Sequence, residues 1–221
     1  FTMGRPRDEP GRFDEEASRD VRLTRGFWMA RTEVTQGQWS KLMAENPSLF
    51  RFSKRHPVER VSWNGATTFC RHLTELERST GTIPIHWEST LPTEAQWEYA
   101  CRAGSSAPFS GPSLAEMGWY LHNAFLHTHP VGLKKSNRWG FYDMHGNVFE
   151  WCLDGYGNYD PKQTKDPFSD PRQATNRVHR GGSWINGASG CRSASRYGSG
   201  PGSRSNGALG FRPVLTQVRP Q

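Results

Sequence analysis

Apolar side chains recur with helical spacing in the first half of the chain and lose that spacing after about residue 104. The clearest example follows Ser62, where apolar residues line one face from Ala66 to Leu76. This spacing predicts an amphipathic helix that starts at Ser62 and ends near Gly81.

Two further segments carry the side-chain pattern of a helix start. Thr35 is followed by Gln38, and Thr93 is followed by Gln96, which is the capping-box arrangement of a hydroxyl residue and a glutamine three positions later. We expect the first of these helices to stop at Asn46-Pro47 and the second near Gly104.

The second half of the chain predicts short strands and long loops. Three segments have strand-like patterns, His129–Leu133, Arg177–Arg180 and Leu209–Leu215, and Gly, Pro, Ser and Asn dominate between them. Residues 1–26 mix charges of both signs, among them Arg5, Arg7, Asp8, Glu9, Arg12, Asp14, Glu15 and Glu16. We expect that segment to be an exposed loop. No internal repeat or linker is visible, so we predict one α+β domain over 1–221, with two to three helices and short antiparallel strands.

Composition indicates a folded, loop-rich domain. Mean hydropathy is −0.79 and only 34% of residues are hydrophobic, yet 12% are aromatic, and disordered chains lack aromatic side chains. No apolar run approaches the roughly 18–20 residues needed to cross a bilayer, so we expect no membrane span. The chain begins at Phe1, so we expect a trimmed or processed start, and the sequence indicates no compartment.

The positive charge is confined to one end. The net charge is +7, but residues 171–221 contain eight Arg, no Lys and no acid, so the first 170 residues are close to neutral. Nucleic-acid surfaces cluster Lys with Arg, whereas these Arg are isolated. We therefore expect no nucleic-acid partner.

The four cysteines do not form a recognisable motif. Cys70, Cys101, Cys152 and Cys191 have no C-x-x-C spacing, which argues against a zinc ribbon or a thioredoxin-like site. Two disulfides and four buried thiols both remain open.

Eight segments together resemble the formylglycine-generating-enzyme (sulfatase-modifying-factor) family. In order, they are Phe1–Gly4, Glu33–Gln36, Pro57–Trp63, Leu91–Ala100, Asn137–Met144, Gly146–Trp151, Arg180–Trp184 and Leu209–Arg212. The resemblance extends from Phe1 to about Val214. It implies a C-type-lectin-like fold with little regular secondary structure.

Enzymes of that family oxidise a substrate cysteine with copper held by two cysteines that follow the Gly-Gly-Ser-Tyr/Trp motif. Here the first of those positions is Asn186, and only Cys191 remains. An amide cannot replace the thiolate that Cu(I) requires, so we expect no copper site. If the chain is an enzyme, Cys191 is the candidate catalytic residue.

The resemblance also implies a structural Ca²⁺ site in the segment Asp143–Glu150. Residue by residue, the side chains of Asp143 and Glu150 and the carbonyls of Gly146 and Val148 correspond to the family's ligands. Hard oxygen donors on a bent loop suit Ca²⁺. The alternative is a carboxylate pair capped by backbone amides.

The segment 181–209 is a candidate ligand-binding surface. Its 29 residues include eight Gly, seven Ser and three Ala, a composition shared by flexible linkers and adaptable binding loops. Framework motifs bracket it, and Arg192, Arg196 and Arg204 lie within it, so we expect these Arg to hold it to the fold through backbone carbonyls. It also resembles the variable proteins of diversity-generating retroelements, in which this region carries the ligand-binding residues. The positions so implied include Ile185, Asn186, Ala188, Ser193, Ser195, Tyr197, Ser199, Ser203, Ser205 and Asn206.

We therefore predict a non-catalytic, calcium-stabilised binding domain that contacts a protein or another macromolecule through residues 185–206. Two alternatives remain. One is an oxidase or metal-dependent enzyme rearranged around Cys191, with His122, His127 or His129 nearby, although a solvated loop explains these histidines better. The other is an interaction or regulatory module of a longer polypeptide.

Overall fold

The computed structural model describes residues 1–5, 9 and 14–218. Within them, four α-helices and nine short strands are joined by long loops, which confirms the α+β prediction. The helices are α1 (Gln36–Trp39), α2 (Trp63–Ser79), α3 (Glu94–Arg102) and α4 (Leu114–Met117). The strands are β1 (Thr2–Met3), β2 (Arg19–Asp20), β3 (Trp28–Met29), β4 (Trp87–Thr90), β5 (Phe149–Gly155), β6 (Arg177–Arg180), β7 (Arg196–Ser199), β8 (Leu209–Gly210) and β9 (Val214–Gln217). None of the described helices is both long and apolar enough to span a membrane.

The predicted helix starts are confirmed at atomic detail. Thr35 and Thr93 each accept a hydrogen bond from the backbone of the glutamine three residues later, and that glutamine side chain accepts one from the cap residue's own N–H. The Ser62 side chain caps α2 through the Gly65 N–H. However, α1 is one turn long and ends well before Asn46, and α4 was not predicted.

Three antiparallel or mixed sheets organise the loops. In the largest, the strand order is β7-β6-β5-β8. Its β5–β8 pair is parallel and sets Phe149 opposite Leu209, while β5 and β6 run antiparallel with Glu150 opposite Arg180. This sheet therefore brings three of the sequence motifs into contact.

The main core is built on aromatic rings, as the composition predicted. Trp39 stacks on Phe69 with ring centroids 5.5 Å apart, and Phe211 meets Phe69 edge-on at 5.4 Å. Buried Leu91 and Trp151 complete this core between α2 and the largest sheet.

Three expectations from the sequence are wrong. No strand forms at His129–Leu133, and the predicted strand Leu209–Leu215 is two strands separated by residues 211–213. The segment before residue 26 is also not simply an exposed loop, because Met3, Arg5, Glu16 and Val21 are buried. Arg7, Asp8 and Arg12 lie outside the described residues.

Candidate functional site

Arg180, at the end of β6, fixes the C-terminal segment to α3. Its guanidinium donates to the Ser193 and Ala194 carbonyls at 2.8 and 2.9 Å and pairs with Glu94 and Glu98. Glu94 and Glu98 are one helical turn apart, so both carboxylates lie on the face of α3 that meets the segment. All three charged side chains are at most 4% exposed.

Two further arginines hold the segment from within. Arg192 pairs with Glu16 at 2.8 Å and donates to the Ser189 carbonyl, and Arg196 pairs with Glu94 at 2.6 Å and donates to the Gly157 carbonyl. The predicted scaffolding role is therefore confirmed for these residues. It is wrong for Arg204, which is exposed.

The structure separates the predicted ligand-binding positions into outer and inner sets. Ile185, Ala188, Ser205 and Asn206 are exposed. Half-buried positions are Asn186, Tyr197, Ser199 and Ser203.

Ser193 and Ser195 do not belong to a contact surface. Both are fully buried, and their hydroxyls donate to the carbonyls of Pro108 and Ser189. Their small size serves close packing beneath the loop, which a composition argument cannot distinguish from a role at the surface.

Exposed apolar side chains from two other loops, residues 49–56 (the first loop) and 121–126 (the second loop), extend this surface. Leu49, Phe52, Leu121, Phe125 and Leu126 are 42–79% exposed, and Ile185 is 51% exposed. We call these six residues the apolar surface. Ile185 was among the positions named from the sequence. The other five were missed, because residues 49–52 and 124–126 show short, largely apolar runs without a helical or strand period.

Specific contacts hold the three loops together. The Leu121 N–H donates to the Asn186 carbonyl at 3.0 Å, which joins the second loop to the segment. Beneath the first loop, Phe50 meets Trp184 edge-on at 5.4 Å, and Phe52 meets His127 at 5.5 Å. The apolar surface is thus one rigidly supported feature.

The backbone at the tip of the second loop is strained. Phe125 and Leu126 have φ values of 52° and 61°, a left-handed conformation that costs a bulky L-residue about 1–3 kcal/mol. Strain of this kind persists only where surrounding contacts over-determine it, and it concentrates at binding sites.

His127 and His129 are half-buried beneath this loop. His127 and His129 have ring centroids 4.5 Å apart, His129 stacks on Trp119 at 3.8 Å, and its Nε2 lies 2.9 Å from the Ala124 carbonyl. Burial lowers the pKa of His129. No group of three or more His, Cys, Asp or Glu able to hold a metal ion occurs among the described residues.

Cys191 is a buried thiol. Its side chain is fully buried, and burial raises its pKa to about 12. Gly182 packs so closely on it that a Cβ there would come within 2.5 Å of the sulfur. All four cysteines are free and buried, so the structure has four buried thiols and not two disulfides.

We expect none of the four native thiols to react promptly with an aromatic disulfide at pH 8, because the thiolate is the nucleophile and burial suppresses it. All four should react after denaturation. An exposed Ser205→Cys variant serves as the positive control. Prompt labelling that disappears in Cys191→Ser would instead identify a reactive thiol.

Glu150, one of the predicted calcium ligands, is already engaged in an ion pair. Its two carboxylate oxygens each accept from Arg212 at 2.6 Å, and one also accepts from the Trp97 indole at 2.7 Å. This buried ion pair does not favour Glu150 as a calcium ligand. Calcium binding stays a prediction.

Asp143 faces a second carboxyl instead. Its Oδ2 accepts from the Gly132 N–H at 2.7 Å, while Glu33 Oε1 accepts from the Asn147 side chain at 3.1 Å. The other oxygen of each carboxyl is buried without a hydrogen-bond partner. Burial raises the pKa of Asp143 to about 6, and burial with the nearby Asp143 raises that of Glu33. Asp143 therefore pairs with Glu33, which lies outside the predicted segment, and not with Glu150.

Comparison with known proteins places the chain in a family. The sulfatase-modifying factor enzyme 1-like domain model matches residues 1–217. The chaperone protein LppX of Paenibacillus barcinonensis is 30% identical over 205 residues, covering 72% of this chain and 69% of LppX. The formylglycine-generating enzyme of Streptomyces coelicolor is 35% identical over 179 residues, covering 71% of this chain but only 52% of that enzyme.

Two solved structures share the fold over almost the whole chain. Treponema denticola variable protein 1 has a TM-score of 0.86 at 29% identity, covering 99% of this chain and 92% of that one. PvdO from Pseudomonas aeruginosa has a TM-score of 0.84 at 28% identity, covering 99% and 91%. The chain therefore belongs to the sulfatase-modifying factor enzyme 1-like domain family and has the C-type-lectin-like fold that its motifs predicted.

Proposed function

We propose that this domain is a non-catalytic binding module that contacts a protein partner through the apolar surface. The observation that carries the proposal is the exposure of six large apolar side chains where three loops meet, two of them on strained backbone. Contiguous exposed apolar surface is uncommon on monomeric proteins unless it serves binding.

The surroundings of the apolar surface define the partner's chemistry. Arg51, Lys54 and Arg55 are exposed on the first loop, and residues 49–56 contain no acid. A partner with an apolar centre and an acidic rim is complementary to this arrangement. Four of the C-terminal arginines form internal ion pairs, namely Arg180, Arg192, Arg196 and Arg212. Because their charges are paired inside the protein, they argue against nucleic acid as the partner.

Two features support a role without catalysis. Asn186 occupies one copper-ligand position of the enzymes, and its Oδ1 accepts from the Ser183 hydroxyl at 2.6 Å. The remaining thiol of Cys191 is buried. The variable-protein structure, which matches the chain closely, favours a binding role through the same region.

We expect the double variant Phe125→Asn/Leu126→Asn to fold normally and to lose at least about tenfold in partner affinity. Asparagine tolerates left-handed backbone, so the turn is retained while its apolar surface is removed. The partner is first captured in the host organism with a photo-crosslinking phenylalanine derivative at position 125, and its affinity for the purified domain is then measured by calorimetry.

A crosslinker at Ile85, which is 77% exposed and lies outside the apolar surface, provides the matched control. Equal adducts from both positions, or unchanged affinity in the double variant, would contradict the proposal. Formylglycine formed on a cysteine peptide with Cu(I) and oxygen would favour the enzyme alternative instead.

A second candidate is an interaction module within a longer polypeptide. The serine/threonine-protein kinase pkn1 of Chlamydia pneumoniae is 35% identical over 163 residues, and this match covers only 24% of its length. The related region of that protein is thus one part of a larger chain. Size analysis of the native protein in the host organism would distinguish the two forms.

A further inference from the structure

An open cleft of about 560 Å³ lies between residues 21–27, the end of α3 and the loop that carries Trp139. None of its lining residues belongs to the apolar surface or to segment 181–209. The residues important to the argument are Phe1, Arg22, Arg25, Phe27, Tyr99 and Trp139.

Aromatic rings form the walls of this cleft. The Tyr99 ring lies 4.8 Å from Trp139 edge-on, 5.2 Å from Phe1 and 6.5 Å from Phe27, measured between centroids. Trp139 remains 46% exposed. Rings inclined at these angles leave faces and edges free to pack against another flat ring.

Two arginines line the same cleft. Arg22 and Arg25 are both exposed, and no acidic residue lines the cleft. Beside the cleft, Asp166 accepts from the Thr24 N–H at 2.7 Å and from the Thr24 hydroxyl. Burial raises the pKa of Asp166, but the hydrogen bonds from Thr24 and the nearby Arg25 lower it further, so the net shift is downward.

The turn that carries the arginines is fixed in place. The Arg22 N–H donates to the Thr164 carbonyl at 2.8 Å, and the Arg22 carbonyl accepts from the Asp166 N–H at 2.9 Å. The cations are therefore presented from a preorganised backbone, which reduces the entropy lost when a ligand binds.

We propose that this cleft binds a small aromatic anion, with the flat ring among Phe27, Tyr99 and Trp139 and the acidic group on Arg22 and Arg25. A guanidinium binds carboxylate, sulfonate or phosphate oxygens through its fork of donors. Small-molecule sites combine aromatic walls with a few polar groups that fix the ligand's orientation, and this cleft has both.

The test uses two fluorescent probes that differ by one charge. 1-Anilinonaphthalene-8-sulfonate carries a sulfonate, and N-phenyl-1-naphthylamine has the same rings without it. We expect Trp139→Ala to weaken both probes about tenfold. Arg22→Gln/Arg25→Gln should weaken only the sulfonate, by about fivefold.

Two control variants keep the test specific. Trp28→Ala removes a tryptophan that is 73% exposed and outside the cleft, and Arg71→Gln/Arg138→Gln removes two exposed arginines that do not line it. Unfolding temperatures show that each variant is folded. The proposal is overturned if the sulfonate does not bind saturably, if the controls weaken it equally, or if the Arg22/Arg25 variant affects both probes alike.

Discussion

Replacing Arg180 with Met is expected to lower the free energy of unfolding by about 3–5 kcal/mol at neutral pH. The substitution leaves Glu98 and Glu94 buried without one of their cations and deprives the Ser193 and Ala194 carbonyls of their donor. Removing one partner of a buried ion pair costs more than the pair itself contributes. Denaturant titration of both proteins measures the difference.

The difference in the free energy of unfolding between the wild type and Arg180→Met should become smaller as the pH falls. Although burial raises the pKa of Glu94, Arg196 and Arg180 lower it further, so the net shift is downward. A carboxylate with a depressed pKa stabilises the protein above its unfolded pKa and loses that contribution as the pH falls. Arg172→Met, which removes an exposed pair with Asp170, is the control and should cause no measurable change. An equally small effect of Arg180→Met would show that Arg180 does not hold the C-terminal segment to α3.

Replacing Asp143 with Asn is expected to stabilise the protein at pH 8 by about 1–3 kcal/mol. The pKa of Asp143 is raised to about 6 from an ordinary 3.8, so the folded state binds the proton more tightly than the unfolded chain does. Stability therefore declines as the pH rises from about 4 to 6 and stays reduced above that range. An amide does not ionise, and it can donate to the unpaired Glu33 oxygen.

The experiment also tests calcium. Denaturant titrations are run from pH 4 to pH 8 with chelator and again with added Ca²⁺, and exposed Asp160→Asn is the control. If the wild type gains stability with Ca²⁺ and Asp143→Asn abolishes that gain, an ion rather than a proton neutralises the pair. Equal stability with calcium and with chelator would eliminate the calcium prediction.

Local signals predicted the helices well and tertiary contacts poorly. The capping boxes at Thr35 and Thr93 are interactions within four residues, so the sequence contains them completely. The length of α1 does not follow from local pattern, because residues after Trp39 turn to pack on the core. The sequence predicted Glu16 to be exposed, because its partner Arg192 lies 176 residues away and the pairing leaves no local pattern.

The candidate site was only partly predictable for the same reason. Segment 181–209 was identified from its framework motifs, and four of its exposed positions, Ile185, Ala188, Ser205 and Asn206, were among those named. Phe52, Phe125 and Leu126 were missed because apolar residues normally indicate the core, and only the folded chain shows that these are exposed. Conversely, Ser193 and Ser195 look like contact residues until their burial is seen.

In the C-terminal segment, the residues that anchor the backbone are different from the residues that are exposed to solvent. Its backbone is held by Arg180, Arg192 and Arg196, whose acidic partners lie on α3 and near the N-terminus. The exposed side chains between those anchors contribute little to folding, and surface replacements away from such anchors usually change stability by less than about 0.5 kcal/mol. Substitutions among these exposed residues are therefore expected to change the chemistry of the face at little thermodynamic cost while the architecture is kept.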